Sequence, residues 1–272
     1  MQDQLSDGHP SPVSESEAPT AGPESDAPRR RGRRRARTDW RLGGTIVRTW
    51  NGTLLAIALV SLGLAILAGS LVQLLWASPW APLASTAVLW IGMIVPAVIA
   101  FRKGRPAGLL RFRPADIVFG VALGLGLRLI DGWVTDAASR PFPTGSPLGG
   151  SLSPSWVLTE AIPAGLVGPV VEEFFFRTVV LVAVYSLLRR PAGSFAAAIA
   201  AVLVSTATFI MIHAVDGSLP LSESLSVGAL GLTAALLVML TGRIWGAVLL
   251  HLVYNASLLA LMAAGTALSS GQ

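Results

Sequence analysis

The chain has 272 residues, a mean hydropathy of +0.65, 53% apolar residues and 13% charged ones, against roughly 25% charged in an ordinary soluble domain. It contains no cysteine, which excludes disulfides, thiolate catalysis and cysteine-ligated metal. The net charge of +5 is unevenly laid out, with seven of the fifteen acids and nine of the twenty bases before residue 49, so the charge-poor remainder reads as a helical membrane protein whose backbone is satisfied within each span.

Residues 1–38 are rich in Ser, Pro, Asp and Glu and then in Arg. With almost nothing to bury, they are expected to be disordered. Their order does not fit the short basic and apolar regions of a cleavable signal peptide. Seven arginines crowd into residues 29–37. Such a run can bind nucleic acid, but it lies just before the first span. There it is read as a contact to anionic membrane lipid, and no nucleic-acid partner is expected.

Apolar runs follow at 54–76 and at 83–101, the second with Pro96 as a kink. A basic linker (Arg102, Lys103, Arg105, Arg111, Arg113) leads into the run 117–134, and residues 135–155 form a Pro/Gly/Ser-rich loop. The stretch 156–188 exceeds the ~20 residues of one upright span. Pro163 and Pro169 are expected to split it into a short interfacial or re-entrant helix and a span carrying a Glu-Glu pair, ended by Arg189-Arg190-Pro191. Runs at 195–213, 225–240 and 244–268 complete an all-α bundle of about seven spans. Bases in 29–48, 102–113, 189–190 and at 243 fall on alternate loops, while the opposite loops hold Arg140 alone. The amino terminus is therefore expected in the cytoplasm.

Ionisable groups inside such runs cost free energy and mark polar cavities. Glu172, Glu173 and Arg177 lie in one run, His213 closes another, and His251 and Asn255 lie near the start of the last. Neighbouring Glu172 and Glu173 point ~100° apart on a helix. Glu173 and Arg177, four apart, have ion-pair spacing, which leaves Glu172 to face a cavity as a general base. A neutral imidazole can hold water, bind a divalent metal or shuttle a proton, and a buried Asn can donate to an oxyanion. Arg128 and Asp131, three apart, are read as a compensating pair. Phe174–Phe176 read as packing or lipid-facing bulk, and Phe209 as packing beside the site. Tryptophans 40, 50, 76, 80, 133, 156 and 245 fall near span ends, as in an aromatic belt.

Glu172-Glu173-Phe174-Phe175-Phe176-Arg177, then Phe209 to His213, then His251 to Asn255 follow the order E-E-x-x-x-R, F-x-x-x-H and H-x-x-x-N. The chain thereby resembles the CPBP family of CAAX-type prenyl-protein endopeptidases and their bacterial relatives, also called Abi proteins, over about residues 155–268. The resemblance implies a catalytic helical core there, preceded by amino-terminal transmembrane helices in 39–154, in a multi-pass protein of a bacterial plasma membrane. It implies hydrolysis of a peptide bond in a small hydrophobic, lipidated or membrane-associated peptide or protein. Glu172 and His213 would activate water, His251 and Asn255 would stabilise the oxyanion, and Arg177 would act through Glu173. Two chemistries stay open: a divalent metal such as zinc on Glu172, His213 and His251, or a metal-free glutamate mechanism. The zinc-peptidase pattern His-Glu-x-x-His is absent. A non-catalytic immunity or partner-binding scaffold is the alternative. One tension stands out: His213 ends its span and His251 begins its own, yet those two helices should run parallel, so the histidines meet only if the helices are staggered or broken.

Overall fold

Residues 39–43, 48–139, 143–144, 156–215 and 220–270 are described by the computed structural model of the chain; the disorder expected for residues 1–38 lies outside the described residues. Apolar sequence dictates helix throughout: α1 (Gly52–Leu75), α2 (Ala81–Lys103), α3 (Pro114–Val134), α4 (Gly168–Glu173), α5 (Leu181–His213), α6 (Leu221–Thr241) and α7 (Trp245–Ser270). Among the described residues there is no strand. Among the described residues six helices are long and apolar enough to cross a membrane, the longest running from Val157 to His213.

That longest helix makes two passes. Gly193 interrupts α5 at φ 81°, a left-handed backbone that glycine adopts without a Cβ clash. Beyond it the chain folds back. Ser205 donates to the Phe176 carbonyl at 3.0 Å and the Phe176 and Phe209 rings stand 5.4 Å apart, whereas 29 residues of straight helix would span about 43 Å. Seven passes result, as the sequence reading expects. The turn falls at Gly193, not at Arg189-Arg190-Pro191, since Pro191 remains helical.

The expected split at Pro163 and Pro169 does not occur. Wide π turns at Val157–Ala161 and Pro163–Val167 lead straight into α4, with helical dihedrals at the junction residues Ile162 and Val167. Both prolines therefore lie inside a continuous helix, and each removes one ladder donor. The π register accommodates them, and the Ala164 carbonyl, five residues before Pro169, accepts from Asn255 instead. A third π stretch, Phe174–Val180, joins α4 to α5. Its Phe176 carbonyl accepts from both the Leu181 N–H and Ser205. A helix this long tilts or overhangs the bilayer.

Small residues set the packing, since lipid supplies no hydrophobic force between helices. On α2, Gly92 lies against α1, where a Cβ would come 2.3 Å from that of Ala65; Ser61 donates to its carbonyl at 2.8 Å. Gly120 and Gly124 of α3 meet Leu249, Leu250 and Val253 of α7 in the same way.

The basic loops gather at one end of the bundle. Trp50 Nε1 donates to Gly104, Trp40 N–H to Ala107 and Ile244 N–H to Leu109, while Arg243 pairs with Asp116 at 2.7 Å. Trp40 and Trp50 depart from the aromatic-belt expectation. Both are fully buried, because each indole N–H reaches a backbone carbonyl, Trp40 that of Gly242. Trp76, Trp80 and Trp133 do stay exposed. Arg41, beside Trp40, donates to the Met239 and Leu240 carbonyls at the end of α6 and pairs with Asp39 at 2.6 Å. Arg128 and Asp131 form their pair at 2.5 Å.

Candidate functional site

Glu172 and Glu173 stand at the end of α4 and diverge as neighbouring helical residues must. Glu173 turns inward and is fully buried, as is Arg177, with Nε 3.2 Å from its Oε2. Neither atom completes a well-aligned hydrogen bond, so the contact is mainly Coulombic. Arg177 donates through Nη2 to Gly231 O at 3.2 Å, and its guanidinium lies 4.3 Å from the Phe209 ring centre. Gly231 makes room for this; a Cβ there would sit 3.0 Å from Phe209 and 3.6 Å from Arg177 Nη2. Glu173 does more than pair with Arg177: its Oε1 is 3.0 Å from Nδ1 of buried His251. Arginine, glutamate and histidine form one buried relay across two helices, with Gly231 of α6 receiving the guanidinium.

His213 is oriented differently, Nδ1 lying 2.9 Å from the Phe209 carbonyl. A carbonyl only accepts, so Nδ1 carries the proton. Glu173 likewise draws the His251 proton to Nδ1 when that ring is neutral. Both rings then turn a bare Nε2 toward Glu172, each 4.0 Å from its Oε2. Phe209 packs against both imidazoles, its centroid 4.6 Å from His213 and 5.7 Å from His251.

The tension over the two parallel helices resolves as a stagger. Ile210 meets Gly228 and Phe209 meets Gly231, so α6 begins more than a turn beyond the end of α5; Leu237 meets Gly246, which carries His251 back to the middle of α6. Both imidazoles therefore lie near mid-depth.

Glu172, His213, His251 and Asn255 line one cavity of about 640 Å³. Glu172 is 17% exposed and its Oε2 has no hydrogen-bond partner. Asn255 donates one amide proton to Ala164 O at 2.8 Å, across the π turns, and keeps a second. Thus the structure brings all six sequence-predicted residues together, four on the wall and Glu173 and Arg177 behind it.

Residues of the opposite wall carry no motif. Pro79, Trp80, Leu83 and Trp90, from the start of α2 and the turn before it, face the site with Glu160 and Tyr254. Tyr254 had a sequence signal, lying three residues after His251 on the same helical stripe. Arg128 anchors it, donating to the Tyr254 carbonyl at 2.8 Å and stacking 3.8 Å from its ring centre.

The donor set suits a divalent metal chemically: two imidazoles fixed through Nδ1, and a carboxylate. Its spacing does not, because zinc bonds of 2.0–2.1 Å in a tetrahedron need donors about 3.3 Å apart, against 4.0 Å here. Among the described residues no group of three His, Asp or Glu closes on a metal.

Residues 154–257 match the family described as type II CAAX prenyl endopeptidase Rce1-like. That segment belongs to the CPBP/CAAX protease family. No curated protein and no solved structure matches the chain. The family segment begins at the π turns and ends two residues beyond Asn255, so it holds every residue of the relay and its cavity face. The α2 wall lies outside it. The helices long and apolar enough to cross a membrane support an integral membrane protein, in which residues 154–257 are the CAAX-protease-like part.

Proposed function

We propose that the chain is an intramembrane endopeptidase in which Glu172 activates water. One observation carries this reading. An unpartnered carboxylate oxygen on a cavity wall faces two imidazole nitrogens at 4.0 Å each, a gap that one water molecule bridges by hydrogen bonds of about 2.8 Å. Glu172 takes the water proton as hydroxide attacks the peptide carbonyl, with His213 Nε2 holding the same water. The free amide proton of Asn255 donates to the developing oxyanion, and His251, held by Glu173 through Nδ1, supports it from the same wall when its Nε2 carries a proton. Glu172 then returns the proton to the leaving amine. The substrate is a peptide or membrane-associated protein segment with enough apolar character to enter from lipid.

The test is cleavage of a library of quenched hydrophobic peptides by protein reconstituted in liposomes. Glu172→Gln should cut turnover by about 10²–10⁴, the range of a lost general base. Its melting temperature should stay near wild type, because the Oε2 atom makes no hydrogen bond. Turnover undiminished in Glu172→Gln would leave a binding scaffold as the better account.

A further inference from the structure

The two ends of the bundle differ in charge, and the cavity belongs to one of them. Arg41, Arg48, Arg102, Lys103, Arg105, Arg111, Arg113 and Arg243 lie on the segments that meet around Trp40, Trp50 and Asp116. Arg189 and Arg190 follow Tyr185 and Leu187, which contact Arg41 and Gly52 at the same end. Among the described residues the loops of the other end carry no Lys or Arg, and Asp136 and Glu160 lie there. So strong a bias retains the basic end in the cytoplasm.

Much of the cavity lining comes from the opposite halves of the helices, while His251, Tyr254 and Asn255 reach it from the basic-end half of α7, toward mid-depth. Pro79 and Trp80 precede α2, Thr86 and Trp90 belong to its first turns, and Glu160 stands at the start of the π turns. His213 is the last residue of α5, and Val227 lies in the second turn of α6. Trp80 and Glu160 are exposed. No residue of the basic loops lines the cavity, and the lining holds two carboxylates but no Lys or Arg. A substrate's free carboxy terminus would find no cation there. Apolar side chains would find the Trp80 and Trp90 walls, and a basic flank would find Glu160.

We infer that the cavity opens on the extracytoplasmic face and receives internal apolar peptide segments with neutral or basic flanks that approach from that side. The word substrate rests on the peptidase reading; the direction of access and the charge preference do not.

The absence of cysteine makes single-cysteine labelling clean. Glu160→Cys, Thr86→Cys and Arg105→Cys variants would be treated with a membrane-impermeant maleimide in sealed spheroplasts, then after lysis. Labelling of E160C and T86C before lysis, with R105C reacting only afterwards, is expected; the reverse pattern, or E160C reacting only after lysis, overturns the inference. Pre-incubating the T86C spheroplasts with an oligoleucine peptide flanked by lysines should slow labelling, and the glutamate-flanked peptide should not. Equal protection by both peptides overturns the charge preference. None of these readouts needs turnover. An E160C label that persists in the Glu172→Gln background, whatever happens to cleavage, separates the access route from the chemistry.

Discussion

Glu173 is the residue on which stability and chemistry meet, so its neutralisation tests the site most directly. Glu173→Gln keeps the shape and removes the charge. At 3.2 Å and an effective dielectric near 20, the lost attraction to Arg177 is about 5 kcal/mol. Some of that is returned because a glutamate no longer has to be desolvated. Arg177 has no such relief, being fully buried with Nη1 already unpartnered. Removing one member of a buried pair costs about 3–5 kcal/mol, and the imperfect alignment of this contact favours the lower figure. A loss near 3 kcal/mol corresponds to a melting temperature lower by about 6–12 °C. The second effect is chemical. His251 Nδ1 loses its carboxylate partner, and loss of such an orienting partner costs about 10–100-fold in activity.

The double variant Glu173→Gln/Arg177→Met separates the two effects. Both charges are then gone, and apolar replacement of a whole buried pair is often neutral, so most of the melting temperature should return. His251 remains without its carboxylate, so turnover should stay low. Thermal unfolding followed by tryptophan fluorescence in detergent, with peptide cleavage in parallel, reads both. A Glu173→Gln protein that melts with wild type, or a double variant that regains turnover, would refute the relay.

Three further outcomes are expected. Turnover should survive a chelator, since Glu172, His213 and His251 stand too far apart to close on zinc; activity lost to chelation and restored by zinc alone would show that the donors contract around a metal. Gly92→Ala should destabilise by about 1–3 kcal/mol, because its Cβ would meet that of Ala65 at 2.3 Å; an unchanged melting temperature would mean that α1 and α2 separate freely. Burial alone would raise the Asp39 carboxyl, but hydrogen bonds and charge from Arg41 hold it below its ordinary value. Its stabilisation is therefore full above about pH 4 and lost as pH falls through the lower folded value, so the melting advantage of wild type over Asp39→Asn should shrink below pH 4. A difference that persisted unchanged in acid would remove Arg41 as its cause.

The spans were legible because length and hydropathy alone decide what crosses lipid. The Glu173–Arg177 and Arg128–Asp131 pairs were legible because helical spacing makes them neighbours. What escaped depended on partners distant in sequence. Trp40 looked like a belt residue, since nothing near it announces the Gly242 carbonyl 202 positions away. Pro163 and Pro169 looked like breaks because a regular α-helix cannot hide them, whereas a register that shifts from π to α and back can. The Glu173–His251 contact is 78 residues apart. The motif order placed both residues in one site without showing that they touch. Trp80 and Trp90 escaped because a cavity wall needs shape, not a reactive group.

The paired glutamates gain a physical meaning from this arrangement. A carboxylate in a low-dielectric bundle persists when something compensates it, and Glu173 is compensated twice, by Arg177 and by His251. Glu172, one residue away, has only two imidazoles at 4.0 Å and an oxygen with no donor. Its cost is tolerable because the cavity admits water. The stagger of α5 against α6 is what makes that possible. Were α5 to run one turn further, the helix would carry His213 inward from its end and pack the space now open above Glu172. The same helical step that buries one glutamate turns the other to the cavity, so shifting the pair by one residue would exchange a lock for a base and lose both.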